Sequence, residues 1–274
     1  MTINCKGTLV DLSSPKVMGI LNITPDSFYD GGKYKNESEI LNQVEKMLLD
    51  GATFIDVGAY SSRPGAQHIS EEEELKRSIP VIKLLVQYFP EIIISVDTFR
   101  SQVAKETIDV GAALINDISG GKMDENMFAT VANLQVPYIL MHMLGTPQNM
   151  QQNPVYADVT KEIISFFAAQ IHKLRQLKLN DVLIDVGFGF GKTIDHNFEL
   201  LKNLALFNSL EVPILTGISR KSMLYKTLDI SAQEALNATT SANTIALLNG
   251  AHILRVHDVK EAVEAVKIVE KISF

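Results

Sequence analysis

Eight short apolar runs recur along the chain with helix-like stretches between them, and this alternation constrains the fold more than any other feature. The runs are Val17–Ile23, Thr53–Val57, Ile92–Val96, Ala113–Ile115, Tyr138–Met141, Val182–Ile184, Val212–Leu215 and Ile253–Val256. They are apolar throughout rather than alternating, as expected for parallel strands that are buried on both faces. Eight strand–helix repeats predict an α/β fold, a (β/α)8 TIM barrel, in which catalytic groups lie at the carboxyl ends of the strands.

The stretches between the runs carry the end signals of helices. Ser70 precedes four glutamates, the pattern of an N-cap followed by acids that favour the helix dipole. Residues 1–16 precede the first barrel strand, and weak alternation over Thr8–Leu12 predicts a short hairpin that closes the barrel bottom. The predicted helices are Glu37–Asp50, Glu71–Phe89, Ser101–Val110, Asp124–Leu134, Val159–Leu179, His196–Leu206, Ala232–Leu248 and Val259–Ile272.

Length and composition fit one barrel and disfavour several other classes of protein. The chain has 274 residues, of which 46% are hydrophobic; a barrel takes roughly 250 residues, so we expect a single domain over 1–274. A net charge of −7 without a basic stripe disfavours nucleic-acid binding. No apolar stretch is long enough for a membrane span, and the N-terminus lacks the pattern of a signal peptide. The single Cys5 excludes an intrachain disulfide and a cysteine-based zinc site, and we expect a cytoplasmic protein.

Three connections are long for a barrel, and each follows the carboxyl end of a strand. They span Thr24–Asn36, Gly58–Ser70 and His142–Asp158. Because these strand ends share one face of a barrel, we expect the three loops to lie over the same site as lids or substrate clamps.

Polar residues suited to chemistry follow nearly every run. They fall in the segments Gly19–Phe28, Asp56–Gly65, Ser95–Arg100, Ile115–Gly121, Met141–Met143, Ile184–Lys192, Gly217–Ser222 and Arg255–Val259. In this order the segments resemble the dihydropteroate synthase family, over essentially the whole chain from Val17 to Val259. No single segment is diagnostic, but the ordered set is highly specific. The resemblance implies a transferase of folate biosynthesis, blocked by sulfonamides, that joins 6-hydroxymethyl-7,8-dihydropterin diphosphate to p-aminobenzoate and releases pyrophosphate.

The residues at the strand ends suit the recognition of a pterin. A carboxylate such as Asp185 can accept from the adjacent amino and ring N–H groups of the pterin edge. Lys221 can donate to the pterin carbonyl and ring nitrogen, and the planar guanidinium of Arg255 can stack on the ring. The expected pterin-binding set is Asp97, Asn116, Met141, Asp185, Phe190, Lys221 and Arg255. The expected catalytic set is Asp97, Asn116, Asp185, Lys221 and Arg63.

The leaving group implied by the resemblance is a diphosphate bound to Mg²⁺. This ion keeps several waters and needs few protein ligands, and the resemblance implies that Asn22 supplies one oxygen. Ser62, Arg63, Arg255 and His257 are expected to hold the diphosphate. In the implied mechanism pyrophosphate departs first and the aryl amine then attacks a pterin cation. Such a site stabilises the leaving anion and orients the nucleophile, and it needs no strong base.

The p-aminobenzoate carboxylate needs a positive end to dock against. The segment Ser219–Ser222 predicts the start of a helix, whose N–H groups bind anions, and we place the carboxylate near Ser222. Phe28, Pro64 and Phe190 are expected to enclose the aryl ring. The resemblance also implies a homodimer formed through helices away from the active face.

Several nearby residues have simpler interpretations than substrate contact. Asp56 is expected to orient the loop after its strand. Only one of the neighbours Asn116 and Asp117 should point into the pocket, because alternate residues of a strand point in opposite directions. The segment Gly187–Thr193 looks like a nucleotide-binding loop but lacks the first glycine at Val186, so its glycines are expected to serve a tight turn. His142 and His252 are expected to be packed rather than zinc ligands, and His68 to be exposed.

Three positions depart from the common family pattern. Tyr60 stands where many members have Glu, Val186 where Pro is usual, and Leu144 where a polar residue is frequent. These departures bear on loop contacts and leave the pterin edge set intact.

Two other functions are compatible with parts of the pattern. A pterin-binding methyltransferase that passes a methyl group from a reduced folate to a corrinoid would share the residues around Asp97, Asn116 and Asp185, but would not be expected to need Ser219–Ser222. A non-catalytic pterin-binding paralogue would be signalled by loss of Lys221, Arg63 or Asn22, and all three are present.

Overall fold

Eight parallel strands form a closed barrel. The computed structural model describes residues 1–23, 33–61 and 68–272. Neighbours around the ring follow chain order. The last barrel strand pairs both with the strand before it and with the first barrel strand, which closes the ring. The barrel strands are β3 (Lys16–Asn22), β4 (Phe54–Gly58), β5 (Ile94–Asp97), β6 (Leu114–Asp117), β7 (Tyr138–Met141), β8 (Val182–Asp185), β9 (Ile214–Thr216) and β10 (Ile253–Val256). The predicted (β/α)8 barrel is confirmed.

Helices follow the strands and cover the barrel. They are α1 (Lys33–Leu49), α2 (Glu71–Tyr88), α3 (Ser101–Asp109), α4 (Met127–Leu134), α5 (Val159–Gln176), α6 (Ile194–Lys202), α7 (Ser222–Tyr225), α8 (Leu236–Leu248) and α9 (Val259–Glu270), with a 3₁₀ helix at Leu204–Leu210. The Ser70 side chain caps α2 by accepting from the amide of Glu73, as predicted. Several predicted bounds differ: α1 begins at Lys33 rather than Glu37, and α4 begins at Met127 rather than Asp124. His196–Leu206 is divided between α6 and the 3₁₀ helix, and Ala232–Leu248 is helical only from Leu236.

Several strands continue past their apolar runs into the polar residues that follow. β5 ends at Asp97, β6 at Asp117 and β8 at Asp185, each beyond the predicted end of its run. The ladder continues because the pairing of β5 with β6 reaches Asn116, opposite Asp97. These carboxylates therefore lie on the rigid strands and not on the loops.

An antiparallel hairpin precedes the barrel, as predicted. Its strands are β1 (Thr2–Cys5) and β2 (Thr8–Asp11), and the turn between them has positive φ at Lys6 (52°) and Gly7 (88°), which matches the twist of a two-residue hairpin. Alternate hairpin side chains form one buried cluster with side chains of the barrel interior: Ile3, Cys5, Val10 and Leu12 pack with Met18, Phe54, Leu114, Ile139, Leu183, Leu215 and Ile253. The hairpin thus closes the amino-terminal end of the barrel.

The same strands present polar side chains to the interior two residues further along. β4 points Phe54 and then Asp56 inward, β8 points Leu183 and then Asp185, and β10 points Ile253 and then Arg255, because alternate residues share a face. The interior is therefore apolar at the amino-terminal end and polar at the carboxyl-terminal end.

Candidate active site

Arg255 joins two carboxylates across the carboxyl-terminal end of the barrel. Its Nε lies 2.6 Å from Oδ2 of Asp56, and its Nη2 lies 2.8 Å from Oδ2 of Asp97. The Nδ2 of Asn116 donates to the same Asp56 oxygen at 3.0 Å. We call Asp56, Asp97, Asn116 and Arg255 the polar cluster. Asp56 therefore fixes Arg255 and Asn116, whereas the sequence predicted that it would orient the loop after its strand.

Burial and neighbouring charge set the protonation of the carboxylates. Burial raises the pKa of Asp97 to about 7, opposed by Arg255 and reinforced by Asp56. Burial also raises the pKa of Asp185, opposed chiefly by Lys221. Both carboxyl groups are thus desolvated but lie beside cations, an arrangement that is common at functional sites.

Lys221 faces Asp185 across Gly217. A Cβ added to Gly217 would lie 3.7 Å from Oδ2 of Asp185 and 3.9 Å from Nζ of Lys221, so both side chains border the same small residue. The amine of Lys221 donates to the carbonyl oxygen of Phe188 and lies 4.6 Å from the ring centroid of Phe190. Burial lowers its pKa to about 8, against the opposing effect of Asp185.

Asn22 and Asp97 share a second glycine on the other side of the mouth. A Cβ added to Gly58 would lie 3.5 Å from Oδ1 of Asn22 and 3.8 Å from Oδ2 of Asp97. Two small residues, Gly58 and Gly217, therefore keep space open between groups that lie on different strands.

The segment after β8 makes the tight turn that its glycines predicted. Gly187, Gly189 and Gly191 have φ of 71°, 81° and 63°, in the left-handed region that favours glycine. The amide of Gly187 donates to Oδ1 of Asp185 at 2.8 Å. We call this turn, Gly187–Gly191, the glycine loop. It brings Phe188 and Phe190 to Lys221.

Ser222 lies at the start of α7, as predicted, but that helix has only four residues. Before it, the Oγ of Ser219 lies 3.0 Å from Nδ1 of His257. Arg220 has a φ of 54° and turns towards Asp258, which accepts two of its N–H groups at 2.8 and 2.9 Å. The bonds of Arg220 to Asp258 therefore stabilise the segment between β9 and α8.

The simpler interpretations of Asp117, His142, His252 and His68 are confirmed. The carboxylate of Asp117 accepts from the amides of Ser119 and Gly121 and from the hydroxyl of Tyr138, away from the polar cluster. His142 is 6% exposed and packs edge-on against Phe166. His252 accepts the amide of Ile214 at Nδ1, and His68 is exposed.

Most of the site residues predicted from the sequence come together at the carboxyl-terminal end of the strands. Asn22, Asp97, Asn116, Met141, Asp185 and Arg255 lie on the strands, and Phe190, Lys221, Ser222 and His257 lie just after them. The remaining four, Phe28, Ser62, Arg63 and Pro64, lie outside the described residues.

Tyr60 makes contacts that sequence reasoning missed. Its hydroxyl lies 3.1 Å from Nδ1 of His68 and accepts from Nε2 of Gln148 at 3.2 Å, and its ring packs edge-on against Phe99. Arg100 lies over the same ring. Tyr60 thus connects the segment after β4 to the long loop after β7. The sequence showed only that an acid was missing, because a contact between distant loops leaves no local pattern.

Asn22 offers a hard oxygen ligand to Mg²⁺ at the rim of the mouth. Over the described ranges, no group of three or more His, Cys, Asp or Glu side chains could hold a metal ion. One amide oxygen beside Asp97 suits an ion that keeps most of its waters and is bound largely through substrate phosphates. The residues present therefore fit Mg²⁺ that arrives with an anionic ligand.

In the described part of the chain, none of the helices has the length and apolarity that crossing a membrane requires.

Known proteins resemble this chain over nearly its whole length. Residues 18–257 match the family described as pterin binding enzyme. The dihydropteroate synthase of Escherichia coli strain K12 is 45% identical over 272 residues, which cover 98% of this chain and 96% of that protein. The enzyme of the same name from Haemophilus influenzae is 40% identical, over 98% of both chains.

Solved structures show the same fold at high similarity. The Yersinia pestis dihydropteroate synthase in a sulfonamide drug complex has a TM-score of 0.93 at 44% identity, over 99% of both chains. The Xanthomonas albilineans dihydropteroate synthase with 4-aminobenzoic acid has a TM-score of 0.92 at 36% identity, over 99% of this chain and 97% of that one. The chain therefore belongs to the pterin-binding enzyme family, among its dihydropteroate synthases, which are transferases.

Proposed function

We propose that this chain condenses 6-hydroxymethyl-7,8-dihydropterin diphosphate with p-aminobenzoate to form 7,8-dihydropteroate and pyrophosphate. The observation that carries the proposal is the arrangement of carboxylates and cations at the barrel mouth, with Asp97 and Arg255 on one side and Asp185 and Lys221 on the other. Relatives that share this fold carry the name of that activity, and one solved relative holds 4-aminobenzoic acid.

The pterin binds between the two sides of the mouth. Asp185 accepts from the amino group and adjacent ring N–H, and Lys221 donates to the carbonyl side of the ring, because a carboxylate and an amine flank the open space beside Gly217. Asp97 and Asn116 satisfy the remaining edge groups. Met141, which is 2% exposed, and Phe190 supply apolar contact to the ring faces.

Arg255 stacks on the pterin while Asp56 keeps its Nε in place. Asp97 exchanges its bond to Nη2 for a pterin N–H when the substrate binds, and this frees one edge of the guanidinium for the diphosphate. The argument rests on the two separate carboxylate partners of Arg255, since one can be released while the other still fixes the side chain.

The diphosphate lies beside Asn22 and His257, with Ser62 and Arg63 from the loop after β4 completing its contacts. Asn22 would supply one oxygen to Mg²⁺, an ion that would, when bound, offset part of the charge on the departing pyrophosphate. The cations of this chain share that role, because charge stabilisation aimed at the leaving group is the largest contribution a preorganised site can make.

The p-aminobenzoate lies towards the outside of the site. Its carboxylate docks near Ser222, and its ring is enclosed by Phe190, Phe28 and Pro64. Phe190 occupies the boundary between the two substrates, because its ring already faces the amine of Lys221.

The reaction is a substitution in which the bond from the pterin methylene carbon to the diphosphate oxygen breaks before the new C–N bond forms. Asp185 and Asp97 hold the electron-poor pterin, and the loops orient the aryl amine towards the methylene carbon. After attack the resulting arylammonium is acidic enough to give its proton to water, so the enzyme supplies positioning and charge rather than a strong base.

The test is a two-substrate assay with dihydropterin diphosphate, p-aminobenzoate and Mg²⁺, following dihydropteroate and pyrophosphate together. We expect equimolar products, and we expect Lys221→Met to abolish them while Arg220→Lys, a neighbouring cation that points away, retains most turnover. Tight pterin binding without either product would contradict the proposal and favour a non-catalytic paralogue. Methyl transfer from a reduced folate to a corrinoid would favour the methyltransferase alternative.

The chain also forms a homodimer in this proposal. Large apolar side chains are exposed on α6, the 3₁₀ helix and α8: Phe198 is 37% exposed, Leu206 55%, Ile245 45% and Leu248 57%. α6 contacts both the 3₁₀ helix and α8, and these elements lie outside the barrel mouth, so a second copy can cover them without blocking the site. Sedimentation equilibrium at micromolar concentration should give twice the chain mass, and Leu248→Glu should shift it towards the monomer.

A further inference from the structure

The buried amine of Lys192 has no part in the chemistry proposed above. Lys192 is 3% exposed. Its Nζ donates to the carbonyl oxygens of Gly187 and Phe190, both at 3.0 Å, and to that of His142 at 3.2 Å. The Nδ1 of His142 lies 3.1 Å from the same amine. Four acceptors therefore surround one buried lysine nitrogen, and three of them are backbone oxygens.

The glycine loop needs such an internal tie. Its three glycines have positive φ, and a glycine-rich segment has more conformational freedom to lose than any other. Lys192 binds the first and fourth residues of the loop from inside, and the amide of Phe190 donates to the carbonyl of Gly187 at 3.0 Å. These bonds hold the ends of the turn together at a fixed separation.

Lys192 also joins the glycine loop to the end of β7. The carbonyl of His142 approaches Gly187 so closely that a Cβ there would lie 2.0 Å from it. Burial, reinforced by the nearby Lys192, holds the pKa of His142 far below its ordinary value, and burial lowers the pKa of Lys192 as well. The imidazole is thus neutral, and Nδ1 can accept from the lysine. The amine of Lys192 therefore bonds to two loops that border the mouth.

Three groups of the proposed pterin site depend on the glycine loop. Its first amide, that of Gly187, donates to Asp185. The carbonyl of Phe188 accepts from the amine of Lys221, and the ring of Phe190 faces that amine. A shift of the loop would move the partners of Lys221 on both sides at once.

We propose that Lys192 is a positioning residue for pterin binding: its buried amine fixes the glycine loop so that the Phe188 carbonyl and the Phe190 ring hold Lys221 in place. This inference rests on the assignment of Lys221 to the pterin in the proposed function.

The test is a double-mutant cycle between Lys192→Met and Lys221→Met, because Met matches the length of lysine and removes its donors. Affinity for dihydropterin diphosphate with Mg²⁺ is measured by calorimetry at a temperature where circular dichroism shows each variant to be folded. We expect Lys192→Met to weaken binding by about 10-fold, the size of one lost hydrogen-bonded contact. In the Lys221→Met background the same change should weaken it by less than about 3-fold, because residues that act through one another are not additive.

Unchanged affinity in folded Lys192→Met, or an equal loss in both backgrounds, would overturn this inference alone. Lys221→Met that binds pterin like the unaltered enzyme would overturn the pterin assignment and this inference with it. If Lys192→Met does not fold, the cycle is run with Lys192→Gln, whose amide can still donate to the loop carbonyls. The expected loss of pterin affinity in this variant is smaller, and the same results would overturn the inference.

Tyr156→Phe is the matched control. The Tyr156 hydroxyl ties the same two loops by donating to the carbonyl of Gly191 at 2.8 Å, but it touches neither Gly187 nor Phe190 in the described contacts. We expect unchanged pterin affinity. A loss as large as that of Lys192→Met would mean that any contact between the loops has the same effect, and it would overturn the specific role of Lys192.

Discussion

The two ends of the barrel interior are built by the same strands and have opposite character. At the amino-terminal end Phe54, Leu183 and Ile253 pack under the hairpin in a buried apolar cluster. Two residues further along the same strands, Asp56, Asp185 and Arg255 form a desolvated set of charges. Two positions along one strand therefore separate a side chain of the packed core from a side chain of the proposed active site.

This difference shows that neighbouring positions of one strand contribute to stability and to function through different interactions. The apolar end gains from area removed from water and from close packing. The polar end carries a desolvation cost: Oδ1 of Asp56 is buried without a hydrogen-bond partner among the described residues. Functional sites commonly break local rules of this kind and rely on the rest of the fold to tolerate it.

The strongest way to break the comparison is Phe54→Ala at the apolar end. Phe54 is fully buried, and removing such a ring should lower the free energy of unfolding by about 3–5 kcal/mol. Activity per folded molecule should change little, because Asp56 remains on its strand. Denaturant unfolding followed with the two-substrate assay checks both parts, and a large loss of turnover in fully folded protein would contradict the separation.

Asp185→Asn should produce the opposite result at the polar end. Losing the charged acceptor for the pterin edge should weaken pterin binding by about 1–3 kcal/mol, with the fold retained. Calorimetric titration with dihydropterin diphosphate measures the loss, and equal affinity in the two proteins would remove Asp185 from the pterin site.

Ile3→Val tests the same comparison with a smaller loss of buried apolar volume in the hairpin. Ile3 is 2% exposed, and deleting one buried methyl group should lower the free energy of unfolding by roughly 0.5–1.5 kcal/mol. Steady-state constants for both substrates should not move. A changed KM would show that the hairpin end of the barrel communicates with the mouth.

The last test is a pH dependence that arises from Asp97 at the polar end. The pKa of Asp97 is raised from 3.8 to about 7 by burial. The folded protein therefore holds this proton at pH values where the unfolded chain has lost it, and its contribution to stability falls as pH rises through that interval. The difference in unfolding free energy between the unaltered enzyme and Asp97→Asn should decrease from pH 4 towards about pH 7. A difference that grows with pH would contradict the raised value.

The sequence predicted the barrel and the hairpin because both follow from periodicity. Apolar runs mark strands that are buried on both faces, and the alternation over Thr8–Leu12 marked a one-sided hairpin. Several polar residues at the strand ends were placed just after the apolar runs, because a reading that relies on apolar runs stops at the first acid. Asp97 and Asp185 nevertheless stay in the ladder, since backbone pairing does not depend on the polarity of the side chain.

The sequence predicted which residues belong to the site more readily than which of them contact one another. Arg255 reaches Asp56 across 199 positions of sequence and Asp97 across 158, and those pairings depend on the register in which the ring closes. Lys192 was discounted because its segment fails the spacing of a nucleotide-binding loop. Its actual partners are mostly backbone carbonyls, which leave no trace in a residue pattern.

The closure of the ring has a consequence for synthesis on the ribosome. β3 is made early, but its second neighbour, β10, is made more than 230 residues later, since Lys16 pairs with Ile253. Until then the growing chain exposes an unpaired edge, and the carboxylates of Asp56 and Asp97 lack their shared cation, which β10 also brings. A nascent chain that stops short of Arg255 is thus prone to edge-to-edge association, and the enzyme becomes competent only as its last strand docks.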